Sequence, residues 1–120
     1  MAIRVAINGF GRIGRAFVRR AYALERDIEI VAINDLGSLD NLAYLLVHDS
    51  VYRKAPFSVE KGAQSLIIAG KEARFFQEKD PASLPWRDLS VDVVVECTGF
   101  FTKYEDAKKH IDAGARHVVI

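Results

Sequence analysis

The chain has 120 residues, the size of one domain or most of one, and 50% of them are hydrophobic, enough to form a core. Its net charge of +1, from 17 basic and 16 acidic side chains, gives no electrostatic reason to expect nucleic acid or an anionic membrane as a partner. The apolar runs are too short to cross a bilayer, the N-terminus lacks a signal-peptide pattern, and a single cysteine excludes an internal disulfide. We therefore expect a soluble, cytoplasmic protein.

The first third of the chain predicts a strand, a helix and a second strand. The predicted ranges are Ile3 to Ile7, Gly11 to about Leu24, and Ile28 to Ile33. This order makes a βαβ unit with parallel strands and a right-handed crossover. The apolar stripe of the helix is expected to face the core, with the arginines off that stripe; its members are Ile13, Phe17, Ala21 and Leu24.

The middle of the chain departs from this alternation. A short helix is predicted from Leu39 to about Leu46, with Ser38 or Asp40 near its start. Between residues 57 and 76 the apolar runs are short and interrupted by glycines, which predicts an inserted antiparallel hairpin region. The prolines at positions 81 and 85 indicate a loop with a short helical turn.

The last third returns to the α/β pattern. Val91 to Val95 predicts a third buried strand, and Lys103 to Ala113 a helix with Thr102 as its N-cap in a capping box. Gly114 suits the position after that helix, and Ala115 to Ile120 begins a further strand. The whole pattern predicts an α/β fold of the Rossmann type, doubly wound with a mostly parallel sheet.

The segment from Gly9 to Gly14 has the spacing G-x-G-x-x-G. This spacing is a weak signal alone, but here it follows a strand and opens a helix within a βαβ unit. Gly9 permits a tight turn, Gly11 allows close backbone approach to a pyrophosphate, and Gly14 lets the helix pack on the strand. The alternative is a tight turn without a ligand.

Two arginines and one acidic residue extend this interpretation. Arg12 and Arg15 in the first helical turn oppose the helix dipole, an effect that a bound anion would reverse; alternatively, they pair with surface carboxylates. Asp35 follows the second strand, 21 residues after Gly14, where a carboxylate can bind ribose hydroxyls and repel a 2′-phosphate. We therefore predict NAD rather than NADP, with a turn or cap role for Asp35 as the alternative.

The three strand ends should lie together, because ligands bind at the carboxyl ends of such sheets. Thr98 and Gly99 follow the third strand, where they could contact the far half of the dinucleotide or simply form a turn. Cys97 ends a buried strand without an obvious base and is expected to be inert. We assign no catalytic residue and no metal ligand, since the histidines show no ligand spacing, and we expect His110 to be exposed.

These motifs, read together, resemble the phosphorylating glyceraldehyde-3-phosphate dehydrogenase family. The resemblance covers essentially the whole chain and is carried by Val5 to Arg15, Ala32 to Leu36, His48 to Val51, Asp80-Pro81 with Leu84 and Trp86, Val91 to Gly99, Phe101 to Lys103, and Ala113 to Ala115. It implies aldehyde oxidation through a thiohemiacetal, with hydride transfer to NAD and release of an acyl phosphate by inorganic phosphate.

The resemblance also implies roles for individual residues. The loop with Arg12 and Ile13, and with Asn8 and Phe10 beside it, would hold the pyrophosphate, and Asp35 the adenosine ribose. Lys79 occupies a position where the family usually has Arg, in the segment that reaches the adenine side of the cofactor. Lysine lacks the planar guanidinium that arginine would use to stack on or pair with a partner there. Three further residues match the family's turn near the cofactor: Thr98, Gly99 and Phe101.

The family's catalytic Cys, its His base and its substrate-phosphate residues match nothing in this chain. We expect residues 1–120 to be an NAD-binding domain that is incomplete at its C-terminus and inactive alone, with glyceraldehyde 3-phosphate, phosphate and a homotetramer belonging to the full-length enzyme. Three alternatives stay open: an erythrose-4-phosphate dehydrogenase, which usually has Glu where Asp35 stands; a non-catalytic NAD-binding module; and a fragment that binds nothing stably.

Overall fold

A computed structural model describes residues 3–23, 27–48, 59–68, 70–97 and 104–119. These ranges form one seven-stranded sheet with three α-helices and a short 3-10 turn. In chain order the elements are β1 (Ile3–Asn8), α1 (Arg12–Ala23), β2 (Ile28–Asn34), α2 (Leu39–His48), β3 (Val59–Lys61), β4 (Ser65–Ile68), β5 (Lys71–Phe76), the 3-10 turn (Pro81–Ser83), β6 (Val93–Glu96), α3 (Tyr104–Asp112) and β7 (His117–Val119).

The strand order is β3-β4-β5-β2-β1-β6-β7. The pairs β5–β2, β2–β1, β1–β6 and β6–β7 are parallel, whereas β3–β4 and β4–β5 are antiparallel. The predicted doubly wound, mostly parallel sheet with an antiparallel insertion is therefore confirmed. The chain leaves β1 toward β2 on one side and later adds β6 on the other, so the topological switch point lies between β1 and β6. Ligands of such sheets bind outside the carboxyl ends of the strands at this point.

Hydrophobic residues cover both faces of the sheet. On β1, Val5 and Ile7 belong to one buried cluster, while Ala6 belongs to the other. Helices α1 and α2 pack on the first cluster with Val18, Leu42 and Leu46. The segment after the 3-10 turn packs on the second cluster with Leu84, Trp86 and Val91. The central strands β1 and β2 are thus buried on both faces over most of their length, as parallel strands with covered faces are.

Helix α1 has the predicted position, but its predicted buried stripe is only partly correct. Phe17 packs against the first buried cluster, as predicted, and Leu24 lies outside the described residues. Ile13 is 71% exposed, whereas Gly14 and Val18 are buried. Arg15 and Arg19 lie on the same buried face, with only 8% and 9% exposure. The helix therefore turns an arginine-bearing face toward the core, and the apolar Ile13 faces out.

The two buried arginines bind backbone carbonyls. The Arg15 guanidinium donates from Nη1 to the Phe10 carbonyl oxygen (3.1 Å). The Arg19 guanidinium donates from Nη2 to the carbonyls of Leu46 (2.5 Å) and Val47 (3.4 Å), near the C-terminus of α2. The long aliphatic part of an arginine side chain can pack on apolar surface while its guanidinium donates to carbonyls. The spacing of apolar residues therefore located only part of the inward face of α1. Arg15 is therefore buried and bonded to the backbone of the glycine loop, not placed at the surface.

The other element predictions are confirmed within the described ranges. Helix α2 begins after Ser38, whose Oγ accepts the backbone N–H of Asn41 (3.1 Å), so Ser38 is its N-cap. Strands β4 and β5 form the predicted hairpin, and Gly70 makes its turn with a φ of +80°. The predicted helical turn near residue 81 is the 3-10 turn.

Strand β6 and helix α3 also appear where the sequence predicts them, with α3 at Tyr104–Asp112. The predicted cap Thr102 and the predicted first residue, Lys103, lie outside the described residues. Gly114 follows the helix with a φ of +119°, and a Cβ there would lie 2.5 Å from Cβ of Arg87. Both the left-handed conformation and the close approach require glycine at this position.

Candidate functional site

The carboxyl ends of the three central strands lie together, as the sequence predicts. The Gly9 N–H donates to the Asn34 carbonyl (2.8 Å), which joins the ends of β1 and β2. The Cys97 N–H donates to the Asn8 carbonyl (2.8 Å), which joins the ends of β6 and β1. Three predicted contacts near this edge lie outside the described residues: Thr98, Gly99 and Phe101.

The three glycines of the loop from Gly9 to Gly14 differ in whether the structure itself requires them. Gly9 has a φ of +92°, a conformation that L side chains rarely adopt. A Cβ on Gly14 would lie 2.5 Å from the Gly9 carbonyl oxygen, so this glycine allows α1 to pack against the loop. Around a Cβ on Gly11, by contrast, no atom lies within 4 Å. Neither backbone conformation nor internal packing requires glycine at Gly11, which leaves its open side available to a ligand.

The N-terminus of α1 is suited to an anion. Its first helical amides have no intrahelical carbonyl to bond, and they carry the positive end of the helix dipole. The first turn contains no acidic residue, and Arg12 and Ile13 are exposed there. A phosphate group at this end would meet free donors and a favourable dipole.

Asp35 ties the glycine loop to the end of β2. Its Oδ2 accepts the Phe10 N–H (2.7 Å), and its Oδ1 accepts the Gly37 N–H (2.7 Å). The second bond forms a turn, so Asp35 does have the turn role that was the alternative for it. Each carboxylate oxygen has a second lone pair, so this geometry leaves acceptor capacity for hydroxyl groups.

Lys79 lies at the same edge of the sheet, beyond β2. The Asn34 side chain holds the preceding residue, Glu78, through both backbone groups. Its Oδ1 accepts the Glu78 N–H (2.8 Å), and its Nδ2 donates to the Glu78 carbonyl (2.9 Å). Lys79 itself is exposed. The segment that carries Lys79 is therefore fixed to the end of β2 by a side chain of that strand.

Beneath the loop lies a buried polar network that the sequence did not reveal. His110 is fully buried, so its predicted exposure is wrong. Its Nε2 lies 2.6 Å from Oε2 of Glu96, and its Nδ1 lies 3.0 Å from Nε1 of Trp86. The Asn8 Nδ2 also donates to Glu96 Oε2 (2.8 Å), and Asn34 Nδ2 donates to Asn8 Oδ1 (2.7 Å). These partners are 14 to 88 residues apart, too far for any local pattern to indicate them.

Cys97 has the environment of an unreactive thiol. It is half-buried and packs against the first hydrophobic cluster. Burial, and secondarily the neighbouring Glu96 carboxylate, raises the pKa of the Cys97 thiol above its ordinary value. A raised pKa lowers the thiolate fraction at neutral pH, which supports the expectation that Cys97 is not a nucleophile.

The described ranges contain neither a metal-ligand cluster nor a membrane-spanning helix. Among these residues no group of three or more His, Cys, Asp or Glu side chains could hold a metal ion. No helix in the same ranges is long and apolar enough to cross a membrane.

A doubly wound sheet with a glycine loop, a helix N-terminus and an acidic residue at its carboxyl edge defines a dinucleotide-binding α/β domain. The model of one particular family matches residues 3–104, that of the NAD binding domain of glyceraldehyde 3-phosphate dehydrogenase. The chain belongs to this family, and its cofactor is NAD.

Three relatives illustrate the similarity. Glyceraldehyde-3-phosphate dehydrogenase of Thermotoga maritima is 54% identical over 118 residues, which is 98% of this chain and 35% of the relative. The cytosolic enzyme of Trypanosoma brucei brucei is 52% identical over 120 residues, and that of Geobacillus stearothermophilus 50% over 120 residues. Each of these two alignments covers 100% of this chain and 36% of the relative. The chain thus spans about a third of the length of the curated relatives it matches.

Proposed function

We propose that this chain is the cofactor-positioning part of a glyceraldehyde-3-phosphate dehydrogenase. The activity is the oxidation of glyceraldehyde 3-phosphate with uptake of inorganic phosphate, within glycolysis. Bound NAD supplies the hydride acceptor, and the residues of this chain bind and orient it. The relatives that carry this enzyme name align with the whole chain, which supports the assignment.

The glycine loop is proposed to hold the pyrophosphate. Gly9, Gly11 and Gly14 shape the turn, and the first amides of α1 point their N–H groups at the anion. The exposed Arg12 adds positive charge at this end of the helix, and Ile13 lies beside it. The neighbouring side chains of Asn8 and Phe10 are buried, so we propose that they act by shaping the loop from beneath.

The adenosine half is proposed to lie toward β2 and β5. Asp35 would accept hydrogen bonds from the ribose hydroxyls, and its negative charge would oppose a 2′-phosphate. Asp35 also weighs against an erythrose-4-phosphate dehydrogenase, whose members usually have Glu there. Lys79 would face the adenine side. The far half of NAD is proposed to contact residues after β6, namely Thr98, Gly99 and Phe101.

The observation that carries the proposal is the contrast between Gly11 and Gly14. A Cβ on Gly14 would overlap the Gly9 carbonyl, whereas a Cβ on Gly11 would meet no atom within 4 Å. Gly14 is thus explained by packing inside the protein. Gly11 is explained by a ligand that approaches its backbone more closely than a methyl group permits.

This contrast gives a matched pair of alanine variants. We expect Gly11→Ala to unfold at nearly the wild-type temperature but to bind NAD about tenfold or more weakly in calorimetric titration. We expect Gly14→Ala to unfold at a clearly lower temperature, because the methyl group overpacks the helix–loop contact by about 1–3 kcal/mol. Wild-type NAD affinity in Gly11→Ala would contradict the placement of the pyrophosphate.

The remaining parts of the assignment concern the whole enzyme. We propose that it is a cytoplasmic homotetramer and that residues 1–120 form its NAD-binding domain without the groups that perform the chemistry. Purified residues 1–120 should then show no NAD reduction with glyceraldehyde 3-phosphate and phosphate. Turnover in a sample free of host enzyme would contradict this proposal.

A further inference from the structure

The buried network beneath the loop has a fixed direction. The indole N–H of Trp86 can only donate, so Nδ1 of His110 must accept it (3.0 Å). The ring proton of His110 is therefore on Nε2, which donates to Oε2 of Glu96 (2.6 Å). A donor chain thus runs from Trp86 through His110 to the Glu96 carboxylate.

A second donor chain reaches the same oxygen from the other side. A carboxylate accepts only, so the group of Asn8 that faces Glu96 must be its NH₂, at 2.8 Å. The Asn8 carbonyl oxygen then faces Asn34 and accepts from its Nδ2 at 2.7 Å. Glu96 fixes the orientation of the Asn8 amide, and that of Asn34 is fixed by Asn8 together with the Glu78 N–H, which needs an acceptor.

The orientation of the Asn34 side-chain amide determines how it hydrogen-bonds to the backbone of Glu78. With Nδ2 turned toward Asn8, the Asn34 Oδ1 is left to accept the Glu78 N–H (2.8 Å), and Nδ2 also donates to the Glu78 carbonyl (2.9 Å). The chain of bonds crosses the ends of β6, β1 and β2 and reaches the segment after β5. Its side chains on the three strands are nearly inaccessible, with exposures of 5% for Glu96, 2% for Asn8 and 4% for Asn34.

Three members of this network each directly precede, in the sequence, a residue that we propose contacts NAD. Asn8 directly precedes Gly9, Asn34 directly precedes Asp35, and Glu78 directly precedes Lys79. Each following residue is one that we assign to NAD. A side chain or backbone group fixed at one position limits the backbone of the next, so the network lies where it can set the positions of the NAD contacts.

We propose that Glu96, oriented by His110, is a positioning residue for NAD: it aligns Asn8 and Asn34 and through them sets the pyrophosphate loop and the Glu78–Lys79 segment. This inference rests on the proposed function, since it takes the loop, Asp35 and Lys79 as the NAD contacts. Glu96 does not itself touch the cofactor in this account. It acts on binding by fixing which donors and acceptors the edge of the sheet presents.

The test replaces one donor of the network in the full-length protein. Asn34→Asp keeps the shape of the side chain but places a carboxylate oxygen against the Asn8 and Glu78 carbonyls. We expect its affinity for NAD to fall about tenfold in calorimetric titration, because both hydrogen bonds that Nδ2 donates are lost. Affinity for ADP should fall by the same factor, because ADP carries the adenosine and pyrophosphate groups that Asn8 and Asn34 help to position.

Two control variants separate positioning from stability. Asn41→Asp makes the same chemical change at an exposed residue of α2 and should bind both ligands like the wild type. Leu66→Ala removes a fully buried side chain from β4, in the antiparallel part of the sheet, and should lower the unfolding temperature without changing NAD affinity well below that temperature. Equal affinities in Asn34→Asp and the wild type would overturn the proposal, as would a loss for NAD with none for ADP.

If Asn34→Asp does not fold, a second variant tests whether Glu96 positions the NAD contacts. Glu96→Gln keeps the size of the side chain and replaces a charged acceptor by a neutral one, which forms weaker hydrogen bonds. We expect about threefold weaker NAD binding with the protein still folded. Unchanged affinity in Glu96→Gln would overturn the proposal. Failure of the wild type to bind NAD in the same titrations would instead reject the proposed function.

Discussion

The polar side chains at the two ends of the parallel strands differ in how far they are buried. At the carboxyl end, Glu96 and His110 are buried and joined by a bond of 2.6 Å. At the amino end, the charged groups of Arg116 and Asp92 are 3.8 Å apart, and the Arg116 side chain is 79% exposed. Both ends belong to the same sheet, so the difference lies in what surrounds the charges.

This difference separates polar groups that fix geometry from polar groups that remain hydrated. A buried polar group costs free energy unless it is bonded, so a satisfied buried network allows a single arrangement. An exposed ion pair gains little, because water and salt screen it and its side chains stay mobile. The sheet therefore has its buried polar network at the carboxyl end, where we propose that NAD binds.

The largest effect is expected from His110. His110→Leu deprives the Glu96 carboxylate and the Trp86 indole of a buried partner, and we expect the free energy of unfolding to fall by about 3 kcal/mol. The matched control is His117→Leu in β7, where the exposed side chain should change stability by less than about 0.5 kcal/mol. Similar losses in the two variants, measured by denaturant unfolding, would remove the contrast between buried and exposed polar groups.

A smaller effect is expected from Arg19. Arg19→Met keeps an unbranched apolar stem but removes the guanidinium that binds the carbonyls of Leu46 and Val47. We expect a loss of about 2 kcal/mol, because charged donors to buried carbonyls contribute more than neutral ones. Arg20→Met changes the exposed neighbour in the same helix and should leave the unfolding midpoint nearly unchanged. If both variants lost equally little stability, the buried guanidinium would contribute no more to the free energy of unfolding than the exposed one.

The smallest effect is expected at the amino end. Arg116→Ala removes the exposed partner of Asp92, and we expect stability to change by less than about 0.5 kcal/mol. Asp92 keeps its bond from the Arg4 N–H (3.0 Å) when Arg116 is absent. A loss above about 1 kcal/mol that disappears in high salt would show that this end is also electrostatically organised.

The sequence predicted the framework of the site because local patterns encode it. A glycine spacing, strand-length apolar runs and an acidic residue after β2 placed the loop and Asp35 correctly at one edge of the sheet. The inward face of α1 was predicted only in part, because its buried positions include Arg15 and Arg19, whose partners are backbone carbonyls. Such partners have no sequence signature.

The burial of His110 escaped prediction for a related reason. A histidine in a short helix of mostly polar residues indicates an exposed position. Its partners Trp86 and Glu96 come from a loop and from a strand, at separations of 24 and 14 residues. Only the packed fold brings these three polar groups together, so the network could be found in the structure alone.

NAD is proposed to bind at the carboxyl end of the sheet through the glycine loop and Asp35, whose carboxylate disfavours a 2′-phosphate. The most direct measurement is a calorimetric titration of the full-length protein with NAD and with NADP under the same conditions. We predict that NAD binds about a hundredfold or more tightly, since Asp35 would oppose the added phosphate by several kcal/mol. NADP binding as tight as or tighter than that of NAD would contradict the role given to Asp35.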